Sequence, residues 1–379
     1  MHLSKLILPV FMFVVSTGFA QNTIYDTIRH DNLDRNYILY VPQIYNSSEA
    51  VPLVLNLHGY TRNAGLQMSS GDFRPIADTA NFIIAHPNGT KDQGGAPFWE
   101  VGLFGGTSGI DDLGFLEALV DTLMEQYSID PDKIFSTGMS NGGFMSLKLA
   151  CESEKFSAVA SVTGSMTTPM ENSCNPSAPI PVMQIHGTAD SVVQYLGRPG
   201  ILPIDSVIAY WIRHNNCDKT PEKSNIPDLD PNDGTTSERF VYANGENGSS
   251  VELIKVENGE HSWPGSSNPI FTTSMDFSAS AEIWRFFSVG NPKTTSIPSV
   301  NSAQSGIRVF PNPSSGFLKI QSKFETVSNI EIYDIIGNLQ LAEQFTGNTT
   351  LDLSELAAGT YFVLIENNGE RFFERVLVK

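Results

Sequence analysis

Between Thr23 and about Phe287 the chain alternates short apolar runs with stretches of helical periodicity, and few architectures accept that rhythm. The runs Leu53 to Leu57, Phe82 to Ala85, Ile134 to Thr137, Val159 to Val162, Val182 to Ile185 and Val251 to Val256 are too short for core helices. They read as strands buried on both faces. Between the second and third, Leu113, Leu116, Leu119, Val120, Leu123, Met124 and Tyr127 recur at steps of three and four. This predicts an amphipathic helix over 112–127, capped by Asp111 or Asp112. The fold class expected is α/β: a mainly parallel sheet flanked by helices.

At 379 residues the chain exceeds what one hydrophobic core usually organises, so a second, smaller unit is expected. Its boundary shows in the composition. Residues 290–305, beginning Gly290-Asn291-Pro292-Lys293, have the polar, Pro-bearing character of a linker. From 306 to 379, alternating runs such as Phe317 to Ile320, Ile330 to Tyr333 and Tyr361 to Ile365 sit between Gly and Asn turns, which predicts a small all-β, Ig-like sandwich. At the other end, Lys5 precedes the apolar run Leu6 to Val15 and then Gly18-Phe19-Ala20, the pattern of a signal peptide over 1–20 cleaved after Ala20. That run is shorter than the ~20 residues a spanning helix needs, so no integral membrane segment is expected in the mature protein. The catalytic-sized domain is then 21–289.

Lys and Arg total 23 against 41 Asp and Glu, a formal charge of -18 that repels nucleic acid and anionic lipid. Three cysteines allow one intramolecular disulfide in an oxidising compartment. Cys151 ends the helix predicted after Ser140 and Cys174 precedes the strand from Val182, so these two are expected to pair. No His-Glu-x-x-His or zinc spacing occurs. Asp228, Asp230 and Asp233 lie in a Gly-ended loop whose register does not fit an EF-hand, so no metal is expected.

The chemistry is carried by Gly138-Met139-Ser140-Asn141-Gly142-Gly143, a G-x-S-x-G turn with a predicted strand before it and a predicted helix after it. A serine hydroxyl is a weak nucleophile, so a histidine must take its proton and a carboxylate must fix that histidine's tautomer. Asp190 follows the strand Val182 to Ile185, and His261 follows the strand Val251 to Val256. The order Ser140, Asp190, His261 is the one such folds use. The other histidines near strand ends, His58, His86 and His186, read as structural, as does His214 in a helix-like stretch. For the oxyanion hole, the amide of Asn141 is one expected donor and that of Tyr60, after the strand Leu53 to Leu57, the other, with Thr61 as the alternative. Phe98, Trp99 and Trp263 are candidates for an aromatic acyl pocket.

Five segments in order, Leu57-His58-Gly59, Asp111 to Phe115, Gly138 to Gly143, His186-Gly187-Thr188-Ala189-Asp190 and His261-Ser262-Trp263-Pro264-Gly265, resemble the polyhydroxybutyrate depolymerase and feruloyl esterase group over roughly Ile24 to Phe287. The resemblance implies an α/β-hydrolase fold, no cofactor, and ester hydrolysis through an acyl-enzyme, with Ser140, Asp190 and His261 at the family's triad positions. One departure is that related sequences carry a cysteine where this chain has Ala243-Asn244-Gly245, which leaves Cys217 without its partner. The C-terminal region resembles the type A sorting domain of type IX secretion through Val309 to Gly316, Ile332-Tyr333-Asp334 and Ala358 to Phe362. That implies the export machinery as a partner and an extracellular or cell-surface location.

The function these readings predict is an extracellular serine esterase acting on polymer-borne esters, feruloyl or acetyl esters of a plant polysaccharide such as xylan. A polyhydroxybutyrate or other polyester depolymerase is the alternative. An amidase would use the same groups, and a catalytically silent surface binding protein is the reading from a different class.

Overall fold

In the computed structural model we describe residues 22–103, 109–267, 269, 271–289 and 307–378, the last range without 315, 325, 335–338, 355, 358 and 368–369. The expected signal segment 1–20 and all of the linker 290–305 lie outside them. The chain divides into two compact units between residues 293 and 294.

The strands of the first unit are β1 (Asn22–His30), β2 (Leu33–Val41), β3 (Val51–Leu57), β4 (Ile83–Pro87), β5 (Thr90–Lys91), β6 (Pro97–Phe98), β7 (Ile129–Met139), β8 (Ala158–Val162), β9 (Val182–Gly187), β10 (Glu222–Ile226), β11 (Thr236–Tyr242) and β12 (Val251–Glu257). Ten form one sheet in the order β1-β2-β4-β3-β7-β8-β9-β12-β11-β10, and β5 pairs with β6 apart from it. The six central strands, β4 through β12 in that order, are mutually parallel. They include all six runs expected from the sequence. Antiparallel pairs close both flanks.

Among the described residues seven α-helices accompany the sheet: α1 (Ala64–Ser70), α2 (Arg74–Ala80), α3 (Asp112–Gln126), α4 (Asn141–Glu152), α5 (Thr168–Ser173), α6 (Ile204–His214) and α7 (Ala279–Val289). The period-two alternation of each strand divides the core between the sheet's faces. Leu53, Leu55, Leu57, Ile83, Ala85 and Val159 pack on one side with Phe115 and Leu119 of α3, Phe144 and Leu147 of α4, and Trp211 of α6. Val54, Ile84, Ala158, Ala160 and Val162 pack on the other with Ala77 of α2 and Ile283, Phe286 and Phe287 of α7. Both faces are therefore dry, as a parallel sheet requires.

Helix α3 starts where expected, with Asp111 Oδ1 accepting from the Gly114 amide at 2.8 Å. Its buried face is Phe115, Leu116, Leu119, Val120 and Leu123, while Met124 points outward. Nothing in the local sequence marks Asp112 as buried, and yet it is. Its carboxylate accepts from Arg35 Nη2 at 2.6 Å and from the Glu100 amide at 2.7 Å. Burial raises the Asp112 pKa, and Arg35, itself stacked on Phe115, opposes that rise.

The second unit has the strands β13 (Ile307–Phe310), β14 (Phe317–Ser322), β15 (Val327–Asp334), β16 (Leu339–Thr346), β17 (Thr349–Asp352), β18 (Gly359–Asn367) and β19 (Glu370–Val378). They make a three-stranded sheet, β13-β14-β17, and a four-stranded one, β16-β15-β18-β19, with antiparallel pairing throughout. Alternate residues of both sheets, among them Leu318, Ile320, Ile330, Ile332, Val363 and Val376, fill one core. Among the described residues no helix is long and apolar enough to cross a membrane.

Cys151, near the end of α4, is bonded to Cys174, which caps α5, at a sequence separation of 23. Cys217 is a buried free thiol. Closing a loop of this size stabilises a fold by about 3 kcal/mol through the entropy removed from the unfolded chain. Cys151→Ser/Cys174→Ser is expected to lower the unfolding free energy by that amount in a urea titration, and Cys217→Ser to change it by much less.

Candidate active site

Parallel neighbours place all their carboxyl ends along one edge of the sheet, where open α/β folds gather their functional groups. Four of the loops that leave that edge carry the residues singled out above: after β3 Tyr60, after β7 Ser140, after β9 Asp190 and after β12 His261.

The turn between β7 and α4 is set by sterics. A Cβ on Gly142 would lie 2.2 Å from the Leu57 carbonyl oxygen, so only glycine permits the approach of α4 to the end of β3. The chain reaches α4 through Ser140, held at φ 55 and ψ -120, a conformation a non-glycine residue adopts only when its surroundings compel it. Its amide donates to Val162 O at 2.8 Å and its carbonyl accepts from Phe144. Ser140 thus stands at the N-terminus of α4.

Asp190 and His261 are brought together by a second close approach. A Cβ on Gly187 would fall 2.1 Å from Gly259 O, so the loops after β9 and β12 run against each other. His261 Nδ1 lies 2.8 Å from Asp190 Oδ2. The other carboxylate oxygen accepts from the amides of Val192 and Val193, both at 2.8 Å. Both side chains are buried, and Asp190 is held on every side. A carboxylate acceptor at this distance fixes the proton on Nδ1 and leaves Nε2 as the basic nitrogen.

His186, which the sequence suggested was structural, touches this carboxylate too. Gln184 Nε2 donates to its Nδ1 at 3.0 Å, so its proton is on Nε2, directed to Val193 O at 2.8 Å and lying 3.4 Å from Asp190 Oδ2. Burial holds this imidazole neutral by lowering its pKa to about 4. The motif His186-Gly187-Thr188-Ala189-Asp190 therefore carries both the carboxylate and a ring that positions it.

The loop after β3 is fixed in the same manner. His58 accepts from the Gly89 amide through Nε2 at 2.9 Å, so Nδ1 carries the proton and donates to Gly59 O at 2.8 Å. The Arg62 amide donates to that carbonyl as well. In a planar trans peptide the following N–H points opposite to the carbonyl, so these bonds set the direction of the Tyr60 amide. The alternative donor, the Thr61 amide, is engaged by Pro97 O at 2.9 Å. The Tyr60 hydroxyl donates to Asp92 at 2.7 Å.

Trp99 and Phe98 lie beneath this site and do not line it. Trp99 is fully buried. Its main-chain amide donates to Asn141 Oδ1 at 2.6 Å, its carbonyl accepts from Asn141 Nδ2 at 3.0 Å, and its indole N–H donates to His58 O at 2.9 Å. It ties the loop after β3 to the first residue of α4, a role visible only once both are in place. Trp263 does reach the cavity, though it is buried, its ring meets Phe73 edge-on and its indole N–H donates to Ser280.

Ser140, His261, Tyr60, Met139 and Trp263 all line one cavity of about 300 Å³, together with Arg62, Val192 and Phe271, none of which the sequence singled out. Val192 and Phe271 are partly exposed at its walls, and the Phe271 ring meets His261 edge-on. Among the described residues the one cluster with metal-ligand spacing is His30, Asp31 and Asp111, which lies outside this cavity and includes two exposed carboxylates.

The sheet order, the strained serine turn and the loops gathered at one edge define an α/β-hydrolase. A family model described as esterase PHB depolymerase matches residues 35–193, and a secretion system C-terminal sorting domain matches 308–379. Relatives include "Putative esterase NocK" of Nocardia uniformis subsp. tsuyamanensis, 31% identical over 58% of this chain and 68% of its own. The bifunctional acetylxylan esterase/xylanase XynS20E of Neocallimastix patriciarum is 24% identical over 78% of this chain and 39% of its own, and feruloyl esterase B of Piromyces equi 26% over 60% and 42%. The chain spans about two fifths of the length of these last two. The chain belongs to the PHB depolymerase esterase family, and its sorting domain marks it for type IX secretion to the cell surface or beyond.

Three buried histidines give this scaffold a pH signature. Burial lowers the pKa of His58 to about 4, of His186 to about 4 and of His86, on β4, to about 3, against 6.5 when unfolded. Each takes up its proton on unfolding, so its contribution is complete above pH 6.5 and is lost as pH falls toward the folded pKa. The slope is about 1.4 kcal/mol per pH unit for each histidine inside that window. Urea titrations at pH 7, 6 and 5 are expected to show falling stability, and His86→Leu, away from the cavity, to show a shallower fall.

Proposed function

We propose that the protein is a secreted serine esterase in which Ser140, His261 and Asp190 act as one catalytic unit on esters carried by a polymer. The observation that carries this reading is the 2.8 Å bond between His261 Nδ1 and Asp190, with His261 and the strained Ser140 lining the same cavity. Ser140 Oγ attacks the ester carbonyl carbon while His261 Nε2 takes its proton. The resulting oxyanion is stabilised by the amides of Tyr60 and Asn141, the second of which also lies at the positive end of α4. Collapse breaks the bond to the alcohol oxygen, and His261 returns the proton to that oxygen as it leaves. Water, deprotonated by His261, then repeats the attack on the acyl-serine and releases the acid.

For the substrate, the acetylxylan and feruloyl esterases among the relatives favour acetyl or feruloyl esters on a plant polysaccharide. Export to the cell surface suits a substrate too large to enter the cell. The family model's description favours a polyester of hydroxybutyrate as the second reading. A panel of acetyl, feruloyl, hydroxybutyrate and amide substrates separates the two, and failure on every ester favours a binding protein.

Ser140→Ala is expected to abolish nearly all ester turnover. Asp190→Asn should keep the fold and lower turnover by up to about four orders of magnitude, because the amide favours the wrong histidine tautomer. Steady-state hydrolysis of a chromogenic ester measures both, with circular dichroism as the check on folding. A folded Ser140→Ala protein with near wild-type turnover would refute the serine mechanism.

A further inference from the structure

The charge lining the cavity is opposite to that of the molecule. The chain has 41 acidic residues against 23 basic ones, yet no aspartate or glutamate is among the described residues lining the cavity. Its one permanent charge there is Arg62. A methyl group placed on Gly59 would lie 3.4 Å from Ser140 Cβ and 3.8 Å from Arg62 Cδ, so the serine and the arginine stem border the same space over Gly59.

Arg62 is also short of partners. Among the described residues its guanidinium makes one hydrogen bond, from Nη2 to Ser70 Oγ at 2.8 Å, while Nε is buried without an acceptor. Among the described residues no carboxylate lies within ion-pair distance of it, as for the surface residues Arg198, Arg213 and Arg308, whereas Arg29, Arg35, Arg74, Arg239 and Arg285 each hold at least one. A half-buried guanidinium with unfilled donors is costly unless an anion completes it, and its planar fork matches a carboxylate in geometry.

We propose that the cavity takes esters bearing a carboxylate and that Arg62 is the counter-ion that selects them; this rests on the ester-hydrolase reading above. The carboxylate has two chemical sources. It can belong to the acyl part, as in a dicarboxylic half-ester or the free end of a hydroxyacid oligomer, or to the alcohol part, as in a uronic acid of a polysaccharide.

Matched pairs distinguish the sources: mono-4-nitrophenyl glutarate against 4-nitrophenyl pentanoate, and 3-carboxyphenyl acetate against phenyl acetate. In at least one pair the wild type is expected to prefer the carboxylated ester in kcat/KM. Arg62→Gln should reduce that preference about ten-fold or more, the range for losing a hydrogen bond to a charged group. Arg62→Lys should retain part of it, and 0.5 M NaCl should weaken it in the wild type, a test that needs no variant to fold. Equal preference in wild type and a folded Arg62→Gln, or preference for the neutral ester in both pairs, overturns the proposal. Binding of the same four esters to Ser140→Ala, with and without Arg62→Gln, reads the selection without turnover. If the wild type hydrolyses no ester, the serine-esterase reading fails while this binding comparison still decides the role of Arg62.

Discussion

The space between Gly142 and the Leu57 carbonyl, where a single Cβ would collide at 2.2 Å, is the constraint on which the rest of the site depends. It lets α4 dock against the end of β3, and the sharp turn that results holds Ser140 at positive φ. The same contact brings the loop after β3 alongside the helix N-terminus. Two segments more than eighty residues apart in the chain thereby become one surface. Strain at one residue persists because packing on every side determines it.

Around that turn the protein has built a buried polar frame in place of an apolar one. His58, Trp99 and Asn141 exchange hydrogen bonds that join the loop after β3 to α4, and Gln184 and His186 do the corresponding work for Asp190. Leaving one of these donors or acceptors unmet in the interior costs about 1–3 kcal/mol, so the frame tolerates few alternative arrangements. The histidines serve it as neutral rings, because burial keeps their pKa values far below neutrality. Orientation, more than stability, is what such a network supplies.

A dominant negative charge suits a protein that works outside the cell, where self-repulsion keeps it dispersed. The cavity departs from that field through Arg62. The sorting unit, with its separate β core, encloses none of the residues assigned to hydrolysis.

By itself the sequence determined the fold class and suggested the order of the proposed catalytic residues. Buried strands read as short apolar runs, helix α3 as a three-and-four stripe capped by Asp111, and the serine turn as glycines at fixed spacing, because each of these signals is local. Asp190 and His261 could be proposed as partners because both follow such runs, and Cys151 with Cys174 because both flank elements already placed. Only the tertiary structure could assign the side chains between those landmarks. Trp99 and Phe98 look in sequence like an aromatic pocket, but the docking of α4 against β3 places Trp99 beneath the site as a clamp. Val192, Phe271 and Arg62 carry no local signal at all, since a loop residue becomes part of a cavity only through what folds opposite it. His58 and His186 share the same residue type as His261 and comparable positions at strand ends. Which histidine is proposed as the base and which are neutral props follows from the neighbours each ring meets: both ring nitrogens of His58 and of His186 are engaged by main-chain or amide groups, whereas His261 turns Nδ1 to Asp190 and lines the cavity.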